Sequence, residues 1–147
     1  MSKYNIKDKK DTESFARELL KKIKVGDIIC LTGDLGAGKT FLVKCIADLL
    51  GIKDDVISPT FNILKTYKTN DKKIKVLNHF DVYRISDPDE MYEIGFDDYI
   101  EGEGICFIEW AELIEEILPE ERTEILIEKD LSRGYDYRLI TIREVKQ

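Results

Sequence analysis

Apolar and polar positions recur with two different periods along the chain, and they divide it into helical and extended segments. Apolar residues at helical spacing follow Asp11 and Thr12, and either residue is predicted to be the N-cap of a first helix. Val25-Gly26-Asp27 ends that helix. A second helical pattern runs from about Lys39 to Leu50 and stops at Gly51. Because most sides of this segment are apolar, we expect it to be buried.

Short apolar or alternating runs predict the strands. They lie at 28–31, 61–67, 74–80, 105–108, 124–128 and 137–142. Shorter helices are predicted over 87–93 and from Trp110 to Leu118. Since strands and helices alternate early and a hairpin closes the chain, we predict an α/β fold. Its mixed β-sheet carries helices on both faces, in a single domain over residues 1–147.

A glycine-rich segment joins the first predicted strand to the second predicted helix, and it reads Gly33-Asp34-Leu35-Gly36-Ala37-Gly38-Lys39-Thr40. It matches the P-loop pattern in the strand–loop–helix setting that the pattern needs. The glycines let backbone N–H groups surround phosphate oxygens, and the helix start adds free N–H groups. Lys39 brings a positive charge to the outer phosphates, and the Thr40 hydroxyl is placed to bind Mg²⁺. We therefore predict a nucleoside triphosphate site in a P-loop NTPase-like fold.

Two carboxylates, Asp81 and Glu109, come directly after apolar strands. P-loop enzymes place the acid that holds Mg²⁺ or positions water at such points, but position alone does not rank the two. Arg84 is interpreted as the partner of Asp81, with phosphate as the alternative. His79 is interpreted as a packed, hydrogen-bonded ring, and Trp110 as either a core residue or a wall of the site.

Ser58-Pro59-Thr60 forms a rigid corner that presents Thr60. It is either a turn before a strand or a segment that senses the third phosphate, and both interpretations stay open.

Composition limits the classes of protein. With 43% hydrophobic and 36% charged residues, the 147-residue chain is typical of a soluble globular protein, and we expect no membrane association. The N-terminus lacks an apolar core behind its charges, so we expect a cytoplasmic protein. Three widely spaced cysteines in apolar segments are interpreted as buried free thiols.

The net charge of −7 is concentrated in one segment. Residues 87–130 carry seventeen acidic and two basic side chains. Such a segment repels phosphate backbones, so direct nucleic-acid binding through it is unfavourable. It is either a solvated surface or a docking face for a basic protein partner.

Four motifs together resemble the TsaE family, small bacterial P-loop ATPases of tRNA threonylcarbamoyladenosine (t6A) synthesis. They are the glycine-rich loop, Ser58-Pro59-Thr60-Phe61, His79-Phe80-Asp81-Val82-Tyr83-Arg84 and Ile108-Glu109-Trp110-Ala111. The resemblance implies an ATPase that acts with the TsaB and TsaD proteins on adenosine 37 of certain tRNAs. The acidic segment makes the tRNA an indirect client, reached through those partners.

The resemblance also implies roles for individual residues. ATP would bind Thr12 and the loop residues Gly36, Ala37, Gly38, Lys39, Thr40 and Phe41. Mg²⁺ would be held by Thr40 and Glu109, and activity would need Lys39, Asp81 and Glu109.

Two other functions share the loop. One is a small-molecule kinase, although such enzymes usually close an arginine-bearing lid and residues 87–130 offer only Arg122. The other is a nucleotide-dependent assembly module. No guanine-specifying Asn-Lys-x-Asp motif occurs, which favours ATP over GTP. Because no obvious arginine finger lies near the loop, we expect slow hydrolysis by the chain alone.

Overall fold

The computed structural model describes residues 1–59 and 61–145, and in this part of the chain seven strands form one sheet. The strands are β1 (Ser2–Ile6), β2 (Ile28–Thr32), β3 (Leu64–Lys68), β4 (Val76–Asp81), β5 (Ile105–Glu109), β6 (Arg122–Lys129) and β7 (Arg138–Val145). The helices are α1 (Lys9–Lys22), α2 (Lys39–Leu49), α3 (Glu90–Glu93) and α4 (Phe96–Ile100), with 3₁₀ segments at Ala111–Ile117 and Leu131–Arg133.

The sheet is mixed, as predicted, with strand order β1-β7-β6-β2-β5-β4-β3. The four neighbouring strands β6, β2, β5 and β4 are parallel, whereas β1, β7 and β3 pair antiparallel at the two sides. Parallel strands end at the same edge of a sheet, so the segments that follow β2, β4 and β5 meet there.

Apolar side chains cover both faces of the sheet, which confirms helices on both faces. On one face, α1 and α2 pack on residues such as Leu31 and Phe107. On the other face, α3, α4 and the first 3₁₀ segment pack on residues that include Phe80, whose ring meets Phe96 edge-on at 5.5 Å. No helix among the described residues is long and apolar enough to cross a membrane.

The first helix begins earlier than predicted. Asp8 is its N-cap, because its side chain accepts a hydrogen bond from the Asp11 N–H at 3.0 Å. Asp11 in turn accepts from the Lys7 N–H at 2.9 Å. A capping box would use the N–H of Asp8 itself for the second bond, whereas here Lys7, one residue earlier, is the donor; the two bonds still place Asp11 and Thr12 inside the first turns rather than at the cap.

Several extended segments also differ from the prediction: β6 begins two residues earlier than predicted, and β7 ends three residues later. The third strand begins at Leu64 rather than at residue 61, because Ile63 takes a positive φ of 68° and its N–H bonds to the Pro59 carbonyl. The fourth begins at Val76, two residues later than predicted, and includes Asp81. β1 was not predicted, because its mostly exposed residues become a strand only by pairing with β7.

Candidate phosphate-binding site

The glycine-rich loop connects β2 to α2, so the strand–loop–helix arrangement predicted from the sequence is confirmed. The Ala37 N–H bonds back to the Asp34 carbonyl at 3.0 Å, which folds the loop into a tight turn. Gly38 is the N-cap of α2, with a φ of 110° that disfavours any side chain. The loop therefore ends at a helix N-terminus, where free N–H groups can bind an anion.

Gly33 lies where the loop passes closest to β6. A Cβ built at this position would stand 2.3 Å from the Ile127 carbonyl oxygen, and the φ of 142° is itself unfavourable for other residues. A side chain at Gly38 would meet nothing within 4 Å, so only the φ opposes it there. A side chain at Gly33 would therefore meet both a steric clash and an unfavourable φ, whereas a side chain at Gly38 would meet only the unfavourable φ.

We expect Gly33→Ala to lower the free energy of unfolding by about 3 kcal/mol or more, because it combines backbone strain with a clash. Gly38→Ala should cost only about 1–2 kcal/mol, the price of the strain. Urea unfolding of both variants beside the wild type measures the difference. Equal losses in the two variants would show that the Ile127 carbonyl gives way.

The Lys39 side chain is folded onto its own loop and is only 4% exposed. Its ammonium donates to the Gly33 carbonyl and, at 3.1 Å, to the Asp34 carbonyl. It also lies 3.8 Å from the centre of the Trp110 ring, a cation–π distance. Burial lowers the pKa of Lys39, and the nearby carboxylates, Glu109 first among them, oppose that shift.

Glu109 is buried, with 3% of its surface exposed, and its carboxylate contacts two polar side chains. The Thr40 hydroxyl lies 2.9 Å from both of its carboxylate oxygens. On the other side, the His79 Nε2 lies 2.5 Å from Oε2. The α2 helix and the strands β4 and β5 each contribute one of these residues, so the contact exists only in the folded sheet.

Asp81 is a neighbour of Glu109 across the β4–β5 pair, but its contacts differ. The Ser58 hydroxyl donates to Oδ2, and the Tyr83 N–H donates to Oδ1 at 3.0 Å. Asp81 thereby ties the segment after α2 to the sheet edge. The structure brings Asp81 and Glu109 together, and it gives only Glu109 a contact with Thr40.

Arg84 does not pair with Asp81, so the preferred interpretation of Arg84 was wrong. Its guanidinium lies over the Phe61 ring at 4.5 Å, and no ion pair joins it to Asp81 in the described part of the chain. The pair with Phe61 forms because the turn after Pro59 leaves this ring 83% exposed. Thr60, whose role was left open, lies outside the described residues.

These groups line a cavity of about 400 Å³. Its lining includes the loop from Leu35 to Phe41, Ser58, Asp81, Tyr83, Arg84, Glu109 and Trp110. Trp110 therefore forms a wall of the cavity, where its ring stacks on Tyr83 with centroids 4.7 Å apart.

A second cavity of about 190 Å³ lies on the other side of the loop. Thr12 and Phe41 line it, together with loop residues and Arg138. The two cavities share Gly36, Ala37, Gly38 and Phe41, so an elongated molecule can lie across the loop with one end in each.

The oxygen atoms of Thr40 and Glu109 beside Lys39 are suitable ligands for a hard cation such as Mg²⁺, but they do not by themselves complete its coordination. No group of three or more His, Cys, Asp or Glu side chains arranged to hold a metal occurs among residues 1–59 and 61–145. Thr40 and Glu109 therefore fit the usual role of protein oxygens toward Mg²⁺, which also takes ligands from phosphates and water.

Sequence reasoning missed two contacts of the site. Arg138 donates through Nε to the Ala37 carbonyl at 2.8 Å, although 101 residues separate them in the chain. His79 was expected to be a packed, hydrogen-bonded ring, which its burial and its contact with Glu109 confirm, but the sequence did not identify Glu109 as its partner. The alternation that predicted the β7 strand could have flagged Arg138 as a polar residue at its start, but nothing local pointed to the loop.

The sheet order and the loop between β2 and α2 define a P-loop NTPase-type α/β protein. A family model described as threonylcarbamoyl adenosine biosynthesis protein TsaE matches residues 6–136. The chain belongs to the TsaE family.

Similar proteins support this membership. A Bacillus subtilis protein named tRNA threonylcarbamoyladenosine biosynthesis protein TsaE is 44% identical over 143 residues, which are 97% of this chain and 85% of that protein. A Rickettsia prowazekii protein of the same name is 42% identical, over 87% of this chain and 84% of its own length. A crystal structure of YdiB from B. subtilis superposes with a TM-score of 0.79 at 39% identity, covering 99% of this chain and 86% of YdiB.

Proposed function

We propose that the chain is a Mg²⁺-dependent ATPase required for forming the threonylcarbamoyl group on adenosine 37 of tRNAs, and that it acts with the TsaB and TsaD proteins. Family membership supports the place in tRNA modification, and that work would take place in the cytoplasm. One observation carries the ATPase activity. A hydroxyl and a buried carboxylate, Thr40 and Glu109, are in contact beside the loop that holds Lys39.

ATP would lie across the loop. Its phosphates would bind the loop N–H groups and the start of α2, and Lys39 would exchange the Gly33 and Asp34 carbonyls for phosphate oxygens. The smaller cavity beside Thr12 and Phe41 would take the nucleoside. The absence of a guanine-specifying motif supports adenine as the base.

Mg²⁺ would neutralise charge on the phosphates when bound. Thr40 and Glu109 are the residues that would hold it, since their oxygens are in contact at the phosphate end of the cavity. Asp81 would act differently. It fixes Ser58, and thus the segment that approaches the terminal phosphate, against the sheet edge.

Hydrolysis by the chain alone would be slow, because both arginines of the two cavities are already engaged. Arg84 stacks on Phe61, and Arg138 donates to the Ala37 carbonyl. Two large exposed apolar side chains, Leu35 and Tyr83, line the larger cavity, and two more adjoin its lining: Ile57 precedes Ser58 in the chain, and Phe61 contacts Arg84. An exposed apolar rim is typical of a surface that a partner covers, so TsaB and TsaD would complete the site from this side.

The test is phosphate release from ATP by the purified chain, with and without TsaB and TsaD. We expect a rate below about 10⁻² s⁻¹ for the chain alone, and a rise of at least about tenfold with both partners. Modification of a tRNA transcript, with the other substrates of t6A synthesis supplied, should require the chain together with both partners.

Two results would contradict the proposal. Phosphate transfer to a metabolite instead of water would identify a small-molecule kinase. Full tRNA modification with a hydrolysis-deficient Glu109→Ala variant that still associates with its partners in ATP would identify an assembly module.

A further inference from the structure

His79 occupies the most enclosed polar position next to the site. It is the only histidine in the sequence, and its residue is 0% exposed. Its Nε2 lies 2.5 Å from the Oε2 of Glu109. A carboxylate can only accept a hydrogen bond, so the imidazole is the donor and its Nε2 carries a proton.

The other ring nitrogen has no such partner. Nδ1 of His79 is the one buried side-chain polar atom that lacks a hydrogen-bond partner within residues 1–59 and 61–145. Its neighbours across the sheet are Phe107 on β5, which offers no side-chain donor or acceptor, and Lys65 on β3, whose ammonium does not bond to Nδ1. Burying an unpaired polar atom costs folding free energy, and an apolar residue would avoid that cost. The histidine is therefore explained by what its Nε2 does.

Glu109 is held from two kinds of element, by Thr40 on a helix and by His79 on a strand. The Thr40 hydroxyl belongs to the first turn of α2, directly after the glycine-rich loop. His79 belongs to a strand paired on both sides, by β3 and β5. If Thr40 gave its oxygen to a cation, His79 would be the remaining protein contact of the Glu109 carboxylate in the described part of the chain, held by a strand that is paired on both sides.

We propose that His79 is a positioning residue of the metal site. Its Nε2–H holds Oε2 of Glu109, and thereby fixes the carboxylate in the orientation that Thr40 and a divalent cation require. This inference rests on the proposed function, and it adds a residue that acts only through Glu109. Outer hydrogen bonds of this kind orient metal ligands, and their loss typically weakens metal binding about 10–100-fold.

The test compares His79→Leu with His79→Gln by titrating Mn²⁺ into the complex with a non-hydrolysable ATP analogue, AMP-PNP. Electron paramagnetic resonance reports the free Mn²⁺. We expect His79→Leu to weaken Mn²⁺ binding about 10–100-fold, because Glu109 loses its fixed donor. His79→Gln should stay within about threefold of the wild type, since its amide N–H can reach the place of Nε2.

Binding of AMP-PNP in EDTA separates positioning from folding. It should be the same in the wild type and both variants, because the nucleotide contacts the loop and not His79. Should His79→Leu fail to fold, His79→Asn replaces it, since its shorter amide cannot reach Glu109 and should weaken Mn²⁺ binding equally.

Unchanged Mn²⁺ affinity in the leucine or asparagine variant would overturn the inference. An equal loss of metal-free AMP-PNP binding would also overturn it, because it would make His79 merely structural. If the wild type itself bound neither AMP-PNP nor Mn²⁺, the proposed ATPase function would be contradicted. That result differs from the two outcomes above, which concern the variants and contradict only the role of His79.

Discussion

Lys39→Ala should lower the affinity for Mg-ATP at least about 100-fold and reduce hydrolysis below detection, since a charge-assisted contact to phosphate is lost where water is excluded. The reason lies in the state of the ammonium before ATP arrives. It is buried and covered by Trp110, and among residues 1–59 and 61–145 its hydrogen bonds go to two loop carbonyls. Phosphate oxygens are better partners for this cation than neutral carbonyls, so much of the free energy of ATP binding would depend on this exchange.

The chain provides both the measurement and the control for this prediction. Trp110 is the only tryptophan, and its ring lies 3.8 Å from the Lys39 ammonium, so its fluorescence should report movement of Lys39 when ATP binds. Lys44→Ala removes a lysine from the exposed side of the same helix and should leave affinity within about twofold, because a solvated charge at that distance is screened. Lys39→Ala with wild-type affinity would contradict the assignment of the loop.

The same substitution should not destabilise the protein without ATP. Burial lowers the pKa of Lys39, which means that the folded state disfavours the charged ammonium. Alanine removes that cost along with the carbonyl hydrogen bonds, so we expect little change in the melting temperature. An unchanged melting temperature together with lost affinity would assign the lysine to ligand binding rather than to stability.

The parts of the fold that could be predicted are those whose signal is local. The apolar run of β2, the glycines of the loop and the apolar sides of α2 are all contiguous in sequence, and each indicates its element directly. β1 has no such signal, because it is made a strand by pairing with β7 at the other end of the chain. The start of α1 was misplaced because the cap was predicted at Asp11 or Thr12, and only the hydrogen bond that Asp8 accepts from the Asp11 N–H identifies Asp8 as the cap.

In the candidate site, too, features with a local sequence signal could be predicted, and contacts with distant segments could not. Asp81 and Glu109 could be placed together from sequence, since both end parallel strands, but their contacts could not be told apart. The difference comes from which neighbour each carboxylate faces, Ser58 or Thr40, and these neighbours belong to other segments. Arg138 joined the loop only through the fold of the C-terminal hairpin.

We expect Glu109→Gln to reduce hydrolysis about 100–1,000-fold in the presence of TsaB and TsaD, while ATP binding in EDTA is kept. The amide replaces one acceptor oxygen with a donor, and this donor would face either the Thr40 hydroxyl or the His79 Nε2–H. Facing His79, the amide places two donors against each other in a buried site; facing Thr40, it uses the hydroxyl as its acceptor and still removes the carboxylate charge. Mn²⁺ affinity in the AMP-PNP complex should fall with the hydrolysis rate.

Asp81→Asn is the matched variant, because it changes the neighbouring carboxylate by the same atoms. Its oxygens contact Ser58 and the Tyr83 N–H rather than Thr40, so hydrolysis should fall while Mn²⁺ affinity stays within about threefold of the wild type. Glu116→Gln, at an exposed carboxylate, should change neither quantity. If Asp81→Asn weakened Mn²⁺ binding and Glu109→Gln did not, the two carboxylates would have to exchange roles, and the Thr40–Glu109 contact would no longer mark the metal site.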